Sequence, residues 1–123
     1  MLIENINLFD IDNLIPLQPE GWSDIRNEFR FYLENSFCKP VKVCMDKQLV
    51  GLGCSISFEK SAWIAHIIVH NNFRNKGIGT AVVQFLLDGL KKQKIPSVLL
   101  IATEIGEPVY KKLGFRDVCE YVF

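Results

Sequence analysis

The stretch FRNKGIGTA, residues 73–81, joins an apolar run to a segment of helical periodicity. The run before it, Ser61–Val69, is almost continuously apolar, as in a central strand that is covered on both faces. The segment after it, Gly77–Lys92, repeats apolar residues every three or four positions, as the buried stripe of a helix does. A second apolar strand is predicted at Ser97–Thr103. Strand, helix and strand of these lengths form a βαβ unit, so the two strands should be parallel.

The remaining patterns predict further strands and helices around this unit. The expected elements are strands at Leu2–Leu8, Val41–Met45, 48–58 and 116–123, helices at about 22–35 and at Glu107–Leu113, and an irregular stretch or broken turn of helix at Asp10–Pro19. The turn Asp46-Lys47 makes a hairpin of the second and third strands, and Gly51 and Gly53 indicate a bulge in the third. We therefore expect an α/β fold with a mixed sheet, a parallel βαβ unit and flanking helices, in a single domain over residues 1–123.

Charge and cysteine content argue against several classes of function. The 14 basic and 14 acidic side chains give a formal net charge of zero, without the basic excess that an electrostatic nucleic-acid binder carries. The cysteines form no CxxC pair, and with the histidines they complete no zinc spacing, so no metal site is expected. No apolar run approaches a membrane span, and the N-terminus lacks the basic segment of a secretory signal. A reducing, cytoplasmic setting is the default expectation.

A glycine-rich turn that opens a helix builds an anion site. The free amides of the first helical turn point at one spot, and the helix dipole adds partial positive charge there. Arg74 and Lys76 add side-chain charge, so a phosphate or pyrophosphate is the natural ligand. The Walker A spacing is absent, and Val82 stands where a dinucleotide fingerprint needs its third glycine. From the loop alone, an equal alternative is a structural turn in which the glycines only ease the bend.

Two ordered motifs resemble those of the GNAT N-acetyltransferase superfamily. The segment VHNNFRNKGIGT, residues 69–80, resembles the acyl-CoA signature R/Q-x-x-G-x-G/A, with its arginine and both glycines in place. The segment EPVYKKLGF, residues 107–115, is similar to the Y-x-x-x-G-F element of the family. A βαβ unit links the two motifs at the spacing that the family shows, and the resemblance extends over residues 63–115.

The resemblance implies that acetyl-CoA is the acyl donor and that its pyrophosphate lies on the amides of the glycine turn. By position, the implied contacts are Arg74, Asn75, Lys76, Gly77, Ile78, Gly79 and Thr80. The pantetheine arm is implied to pair with the preceding strand at Ile67, Ile68 and Val69. The implied reaction is direct transfer, in which a deprotonated amine attacks the thioester and the CoA thiolate leaves.

Tyr110 matches the general acid that protonates this thiolate in the family, and the alternative is a core tyrosine with its hydroxyl at the rim. The general base is left open. Glu104 and Glu107 are candidates, although both can be loop acids or partners of the helix dipole. By strand alternation His66 falls on the face opposite Val69, where a satisfied core histidine is the commoner arrangement. A water chain to a distant carboxylate is a further alternative.

Two departures from the family affect the site and its partners. Thr103 stands seven residues before the tyrosine, where the family often has asparagine, and this puts one cofactor or water contact in doubt. Many members carry a further strand after the Y-x-x-x-G-F strand, whereas this sequence stops at Phe123. A trimmed fold, a partner subunit or a longer protein would each account for this. An uncovered edge strand invites pairing, so a homodimer is one expectation.

The leading interpretation is an acetyl-CoA-dependent N-acetyltransferase that acts on a primary amine of a small molecule or peptide. The alternative is a non-catalytic acyl-CoA-binding or regulatory domain, which keeps the glycine turn but lacks a competent base. The absence of the Walker A spacing and of the third fingerprint glycine disfavours a nucleotide-binding protein. The aromatic segment 18–32 is either a wall of the acceptor site or a helix packed into the core. The acceptor itself has no recognisable motif, because a fold does not determine its substrate.

Overall fold

The computed structural model describes residues 1–100 and 107–116, in which one sheet contains five strands. The strands are β1 (Leu2–Asn5), β2 (Cys38–Met45), β3 (Gln48–Ser57), β4 (Ser61–Val69) and β5 (Ser97–Leu100). They lie in the sheet in sequence order, and β1 to β4 are antiparallel neighbours. Strands β4 and β5 are parallel, with Ser61 opposite Ser97 and Ile64 opposite Leu100. The mixed sheet and its parallel βαβ unit are therefore confirmed.

Helical segments connect and cover these strands. They are a 3₁₀ helix at Leu8–Leu17, helix α1 at Ile25–Glu34, a short 3₁₀ turn at Asn71–Phe73, helix α2 at Ile78–Lys92 and helix α3 at Glu107–Lys112. The first 3₁₀ helix occupies most of the stretch Asp10–Pro19, for which an irregular stretch or a broken turn of helix was predicted. It begins early because Asn7 caps it: the Asn7 side chain accepts from the Phe9 amide at 2.9 Å, and the Asn7 amide donates to Asp10 at 2.8 Å. Strand β1 consequently ends at Asn5 and not at Leu8.

Two further boundaries differ from the prediction. Helix α1 starts at Ile25 instead of 22, because Asp24 is its N-cap and accepts from the Arg26 amide at 3.0 Å. Strand β2 starts at Cys38 and includes Pro40, which was expected to lie in a loop. The Pro40 carbonyl accepts from the Ile6 amide, so its nitrogen faces the side on which β1 has ended and no ladder bond is lost.

Each face of the sheet carries its own apolar core. Helix α1 and the long 3₁₀ helix cover one face, where Phe29 and Leu14 are fully buried. Helix α2 covers the other face, where Val82 and Leu86 pack with residues of β2 to β4. The two cores hold the sheet from both sides, which explains the continuously apolar sequence of β4.

The glycines of β3 allow helix α2 to approach the sheet closely. A Cβ atom on Gly53 would lie 2.4 Å from Cγ1 of Val82, and one on Gly51 would lie 3.0 Å from Cγ2 of Ile78. The β2 and β4 ladders both shift register next to these glycines, so the predicted bulge is present. The glycines are thus required mainly by the helix that packs on them, which places the start of α2 against the end of β4.

The predictions for residues 101–103 and for the strand at 117–123 lie outside the described residues. Within the described ranges, no helix is both long and apolar enough to span a bilayer.

Candidate functional site

The turn between β4 and α2 is anchored to the sheet through His70. Its amide donates to the carbonyl of Val50 at 2.8 Å, and its Nδ1 accepts from the amide of Asn72 at 3.1 Å. The imidazole also packs edge-on against the ring of Phe73, with centroids 5.6 Å apart. These contacts determine where the glycine turn begins.

Gly77 is the N-cap of helix α2 and has a left-handed backbone, with φ of +78°. Nothing lies within 4 Å of the position that a Cβ atom would occupy there. Glycine is therefore required by conformation and not by crowding, since a left-handed backbone strains residues that carry a Cβ atom. Asn75, two residues earlier, is also left-handed at +63°, and asparagine is one of the few other residues that tolerate this.

Gly79 lies in the first turn of helix α2. A Cβ atom there would meet Cγ2 of Val69 at 3.7 Å and Cγ2 of Ile67 at 3.8 Å. Both are ordinary van der Waals distances, so there is room for a methyl group but little more. This accounts for the choice of glycine or alanine at the corresponding place in the signature: longer side chains would compete with β4 for this space.

Three amides at the start of helix α2 are unpaired in the part of the chain that the structure describes. Ala81 donates to the carbonyl of Gly77 at 3.0 Å, whereas the described residues offer no acceptor to the amides of Ile78, Gly79 and Thr80. Arg74 and Lys76 are exposed, and neither takes part in an ion pair among the described residues. Free amides, the positive end of a 15-residue helix and the two side-chain cations together suit an anion. That all seven predicted residues contact a pyrophosphate stays a prediction.

A cleft of about 350 Å³ lies beside the turn. Ile68, Val69 and Arg74 line one side, and the segment 16–20 lines the other. Three of the predicted acetyl-CoA contacts therefore meet one space. The side chain of Ile67 instead packs with the core under helix α2.

The side chain of Gln18 forms several hydrogen bonds within the segment that lines this cleft and leads into helix α1. Its Oε1 accepts from the amide of Ile25 at 2.9 Å, and its Nε2 donates to the carbonyls of Trp22 and Ser23, each at 3.0 Å. A third donated bond, at 3.3 Å, reaches the carbonyl of Pro19. The approach to helix α1 is thus stabilised by one polar side chain, a role that the sequence pattern did not reveal.

His66 lies at a bulge in β4. Leu52 faces Ile68 and Cys54 faces Ala65, so both His66 and Ile67 stand opposite the single residue Gly53. The φ of His66 is +54°, which is rare for a residue with a side chain. Its ring lies on the α1 face of the sheet, opposite Val69 as predicted.

The side chain of His66 has a hydrogen-bond partner and lies among aromatic rings. Its Nδ1 lies 2.7 Å from the hydroxyl of Tyr32, and its ring meets those of Trp22, Phe29 and Tyr32 edge-on. Burial lowers the pKa of His66 and raises the pKa of Tyr32, so both are uncharged at neutral pH. If Tyr32 donates to Nδ1, the imidazole proton is on Nε2; if Nδ1 donates to Tyr32, Nε2 is the basic nitrogen.

Tyr110 lies in helix α3 and is half-buried. It packs with the core on the α2 side of the sheet, the same side as Val69 and Ile67. Burial raises the pKa of Tyr110, so the phenol keeps its proton at neutral pH. Its carbonyl accepts from the amide of Phe115, and Gly114 follows the helix with φ of +101°, as a C-cap glycine does. The structure thus gives the predicted acid a protonated state, while its catalytic role stays a prediction.

Glu104 and Thr103 lie outside the described residues, and Glu107 is the first residue of helix α3. The choice among the predicted bases therefore stays open.

Glu28 is a half-buried acidic group that the sequence pattern did not reveal. Its Oε1 accepts from the hydroxyl of Ser23 at 2.8 Å, whereas its Oε2 is buried and has no hydrogen-bond partner among the described residues. The available signal was its spacing in helix α1: it follows Ile25 by three residues and precedes Tyr32 by four, which places it beside the buried stripe.

The family match and the curated relative both indicate a GNAT acetyltransferase domain. Residues 17–122 match a family described as the acetyltransferase (GNAT) domain. A protein of Pyropia yezoensis, named an uncharacterized N-acetyltransferase, is 28% identical over 119 residues, which cover 91% of this chain and 66% of that protein. The chain thus spans about two thirds of the length of this relative.

Solved structures share the fold. A predicted acetyltransferase from Clostridium acetobutylicum, solved with acetyl-CoA, superposes with a TM-score of 0.78 at 22% identity, over 99% of this chain and 94% of that one. The ribosomal-protein-S18-alanine N-acetyltransferase from Escherichia coli superposes with a TM-score of 0.84 at 15% identity, over 96% and 79%. At these identities the likeness concerns the fold alone.

Proposed function

Because the chain belongs to the GNAT acetyltransferase domain family, we propose that it transfers an acetyl group from acetyl-CoA to a primary amine of a small molecule or peptide. One observation carries the proposal: within the described residues, three amides at the start of helix α2 are unpaired, and the two cations beside them form no ion pair. The pyrophosphate of acetyl-CoA matches this site in charge and in its number of acceptor oxygens.

The donor would lie along the end of β4 and the turn. The pyrophosphate binds over Arg74–Thr80, and the pantetheine arm follows Ile67–Val69, whose last two residues line the cleft. Gly79 lets the first turn of helix α2 lie close to Ile67 and Val69, so that the turn and the end of β4 can contact one ligand.

The proposed reaction is direct transfer. The neutral amine attacks the thioester carbonyl, the carbon–sulfur bond breaks, and the thiolate takes a proton from the hydroxyl of Tyr110. One proton is released from the amine nitrogen, so the products are an N-substituted acetamide and CoA. Glu104 and Glu107 are the proposed acceptors of the amine proton. A phenol held in its protonated form suits the role assigned to Tyr110.

The first experiment is thermal unfolding with and without acetyl-CoA, with ATP and NAD as controls. A ligand at about 100 times its dissociation constant adds roughly 2.7 kcal/mol, which shifts the midpoint of a domain of this size by several degrees. A shift with acetyl-CoA alone supports the proposal and justifies a screen of amines. The absence of a shift with acetyl-CoA removes its main support.

A further inference from the structure

The ring of Phe73 contacts both a histidine and a lysine of the glycine turn. The Nζ atom of Lys76 lies 5.4 Å from the centre of the ring, and the imidazole of His70 meets the ring edge-on, with centroids 5.6 Å apart. Lys76 immediately precedes Gly77, the N-cap of helix α2. One ring thus connects the start of the turn to a cation at the beginning of the helix.

The position of this ring is set by its neighbours. The amide of Phe73 donates to the carbonyl of His70 at 2.9 Å, and the amide of His70 donates to the carbonyl of Val50 on β3. Phe73 is half-buried, and it packs with the same core as Ile78, the first residue of helix α2. The ring therefore has a defined place relative to the start of the helix.

Lys76 is a cation that gains from such a contact. It is exposed, and it forms no ion pair among the described residues. An exposed lysine samples many rotamers, and it loses this freedom when it binds a ligand. An ammonium group within about 6 Å of a ring centre is attracted to the face of the ring. The contact with Phe73 restricts Lys76 before any ligand arrives, while a neutral ring leaves its charge available to an anion.

Arg74, the other cation of the turn, is held differently. The structure gives a ring contact to Lys76 and to Lys39, and none to Arg74 within the described ranges. Phe73 therefore acts on one of the two cations beside the unpaired amides, and this difference makes its role measurable.

We propose that Phe73 is a positioning residue for the donor, whose ring holds the ammonium group of Lys76 at the start of helix α2. The turn then meets its anion with one cation already in place. The ligand class is a pyrophosphate, and the inference rests on the proposed function only for the identity of this ligand as acetyl-CoA. If Phe73 were a core residue alone, its effect on binding would not depend on Lys76.

The test is a double-mutant cycle on the Kd for acetyl-CoA, measured by calorimetric titration. Phe73→Leu keeps an apolar side chain but removes the ring, so binding should weaken by about two- to fivefold, as expected for an exposed cation–π contact. In Lys76→Met the same substitution should no longer change the Kd, because the two residues act as one unit. In Arg74→Met it should still weaken binding. Phe73→Tyr keeps an aromatic face and should bind like the parent protein.

A second cation–π pair provides a matched control. The Nζ atom of Lys39 lies 5.1 Å from the centre of the Phe85 ring, and Phe85 packs with the same core as Phe73. Phe85→Leu should lower the unfolding midpoint to a similar extent and leave the Kd for acetyl-CoA unchanged.

NMR of the parent protein tests the contact without any substitution. The signals of the Lys76 Cε protons should be shifted upfield, because these protons lie close to the ammonium over the ring, and the shift should disappear in Phe73→Leu. The absence of this shift in the parent protein refutes the positioning role. If Phe73→Leu does not fold, Phe73→Met takes its place in the cycle.

Inorganic pyrophosphate, as a second probe, separates this inference from the proposed function. If acetyl-CoA binds the parent protein, but Phe73→Leu leaves the Kd unchanged, tightens binding, or weakens it equally with and without Lys76, the positioning role is refuted and the proposed function stands. If Phe73 and Lys76 are coupled in pyrophosphate binding and acetyl-CoA does not bind, the positioning role stands and the proposed function fails. If neither anion binds the parent protein, both fail.

Discussion

Replacement of Gly77 by alanine tests whether the left-handed turn is required for the donor. At φ of +78° a Cβ atom costs about 1–2 kcal/mol, although nothing lies within 4 Å of it. We expect the unfolding midpoint to fall by roughly 3–8 °C. If the turn relaxes to relieve the strain, its amides no longer converge, and acetyl-CoA must restore the strained form when it binds. The affinity should then fall by a factor of about 5 to 30.

Gly21 offers a matched control, because it has φ of +81° and likewise has nothing within 4 Å of its Cβ position. Gly21→Ala should lose a similar amount of stability and keep its affinity for acetyl-CoA. Thermal unfolding gives the first quantity, and calorimetric titration with acetyl-CoA gives the second. Equal affinity in Gly77→Ala and the parent protein, or an equal loss in both variants, would refute the assignment of the turn.

Three further predictions concern the acid, the cleft wall and pH. Tyr110→Phe should lower kcat by about 100-fold or more, while acetyl-CoA should protect it against thermal unfolding as it does the parent protein. Unchanged turnover would remove Tyr110 from the reaction. Protection by acetyl-CoA without any turnover in the parent protein would favour the non-catalytic alternative. Gln18→Ala removes the hydrogen bonds that Gln18 makes with the segment before α1, so the free energy of unfolding should fall by about 1–3 kcal/mol. The KM for the amine should rise, and the Kd for acetyl-CoA should not change. The pKa of His66 is lower in the folded than in the unfolded state, so its protonation favours unfolding and stability should fall as pH drops below about 6.5. Chemical denaturation from pH 7.5 to 5.5 should show a smaller fall in His66→Asn, and an equal fall would contradict the assignment.

The elements with strong periodicity were predictable from the sequence. Strand β4 occupies Ser61–Val69 as predicted, and helix α2 begins at Ile78, one residue after the predicted start. Local patterns suffice there because one apolar run or stripe determines each element. The start of helix α1 was less predictable, because its stripe continues back to Trp22 while the bonds from Gln18 hold this segment outside the helix.

The bulge at His66 had no local signal. Its left-handed backbone is uncommon outside glycine, although histidine is one of the residues that tolerate it, and the surrounding sequence is typical of a regular strand. The cause lies on the neighbouring strand, where Gly53 faces two residues and helix α2 packs at close range. The glycines were visible in the sequence, but the helix that needs them could be identified only once the fold was known.

The same difference separates the two halves of the candidate site. The donor side is built from one continuous segment, since a strand end, a left-handed glycine and a helix start create an anion site wherever they occur in this order. The α1 face of the sheet instead joins Tyr32 on α1 to His66 on β4, a pair far apart in sequence that meets only through tertiary packing. No spacing rule encodes that pair, so a local motif can indicate an anion site, whereas a contact between distant elements becomes visible only in the folded structure.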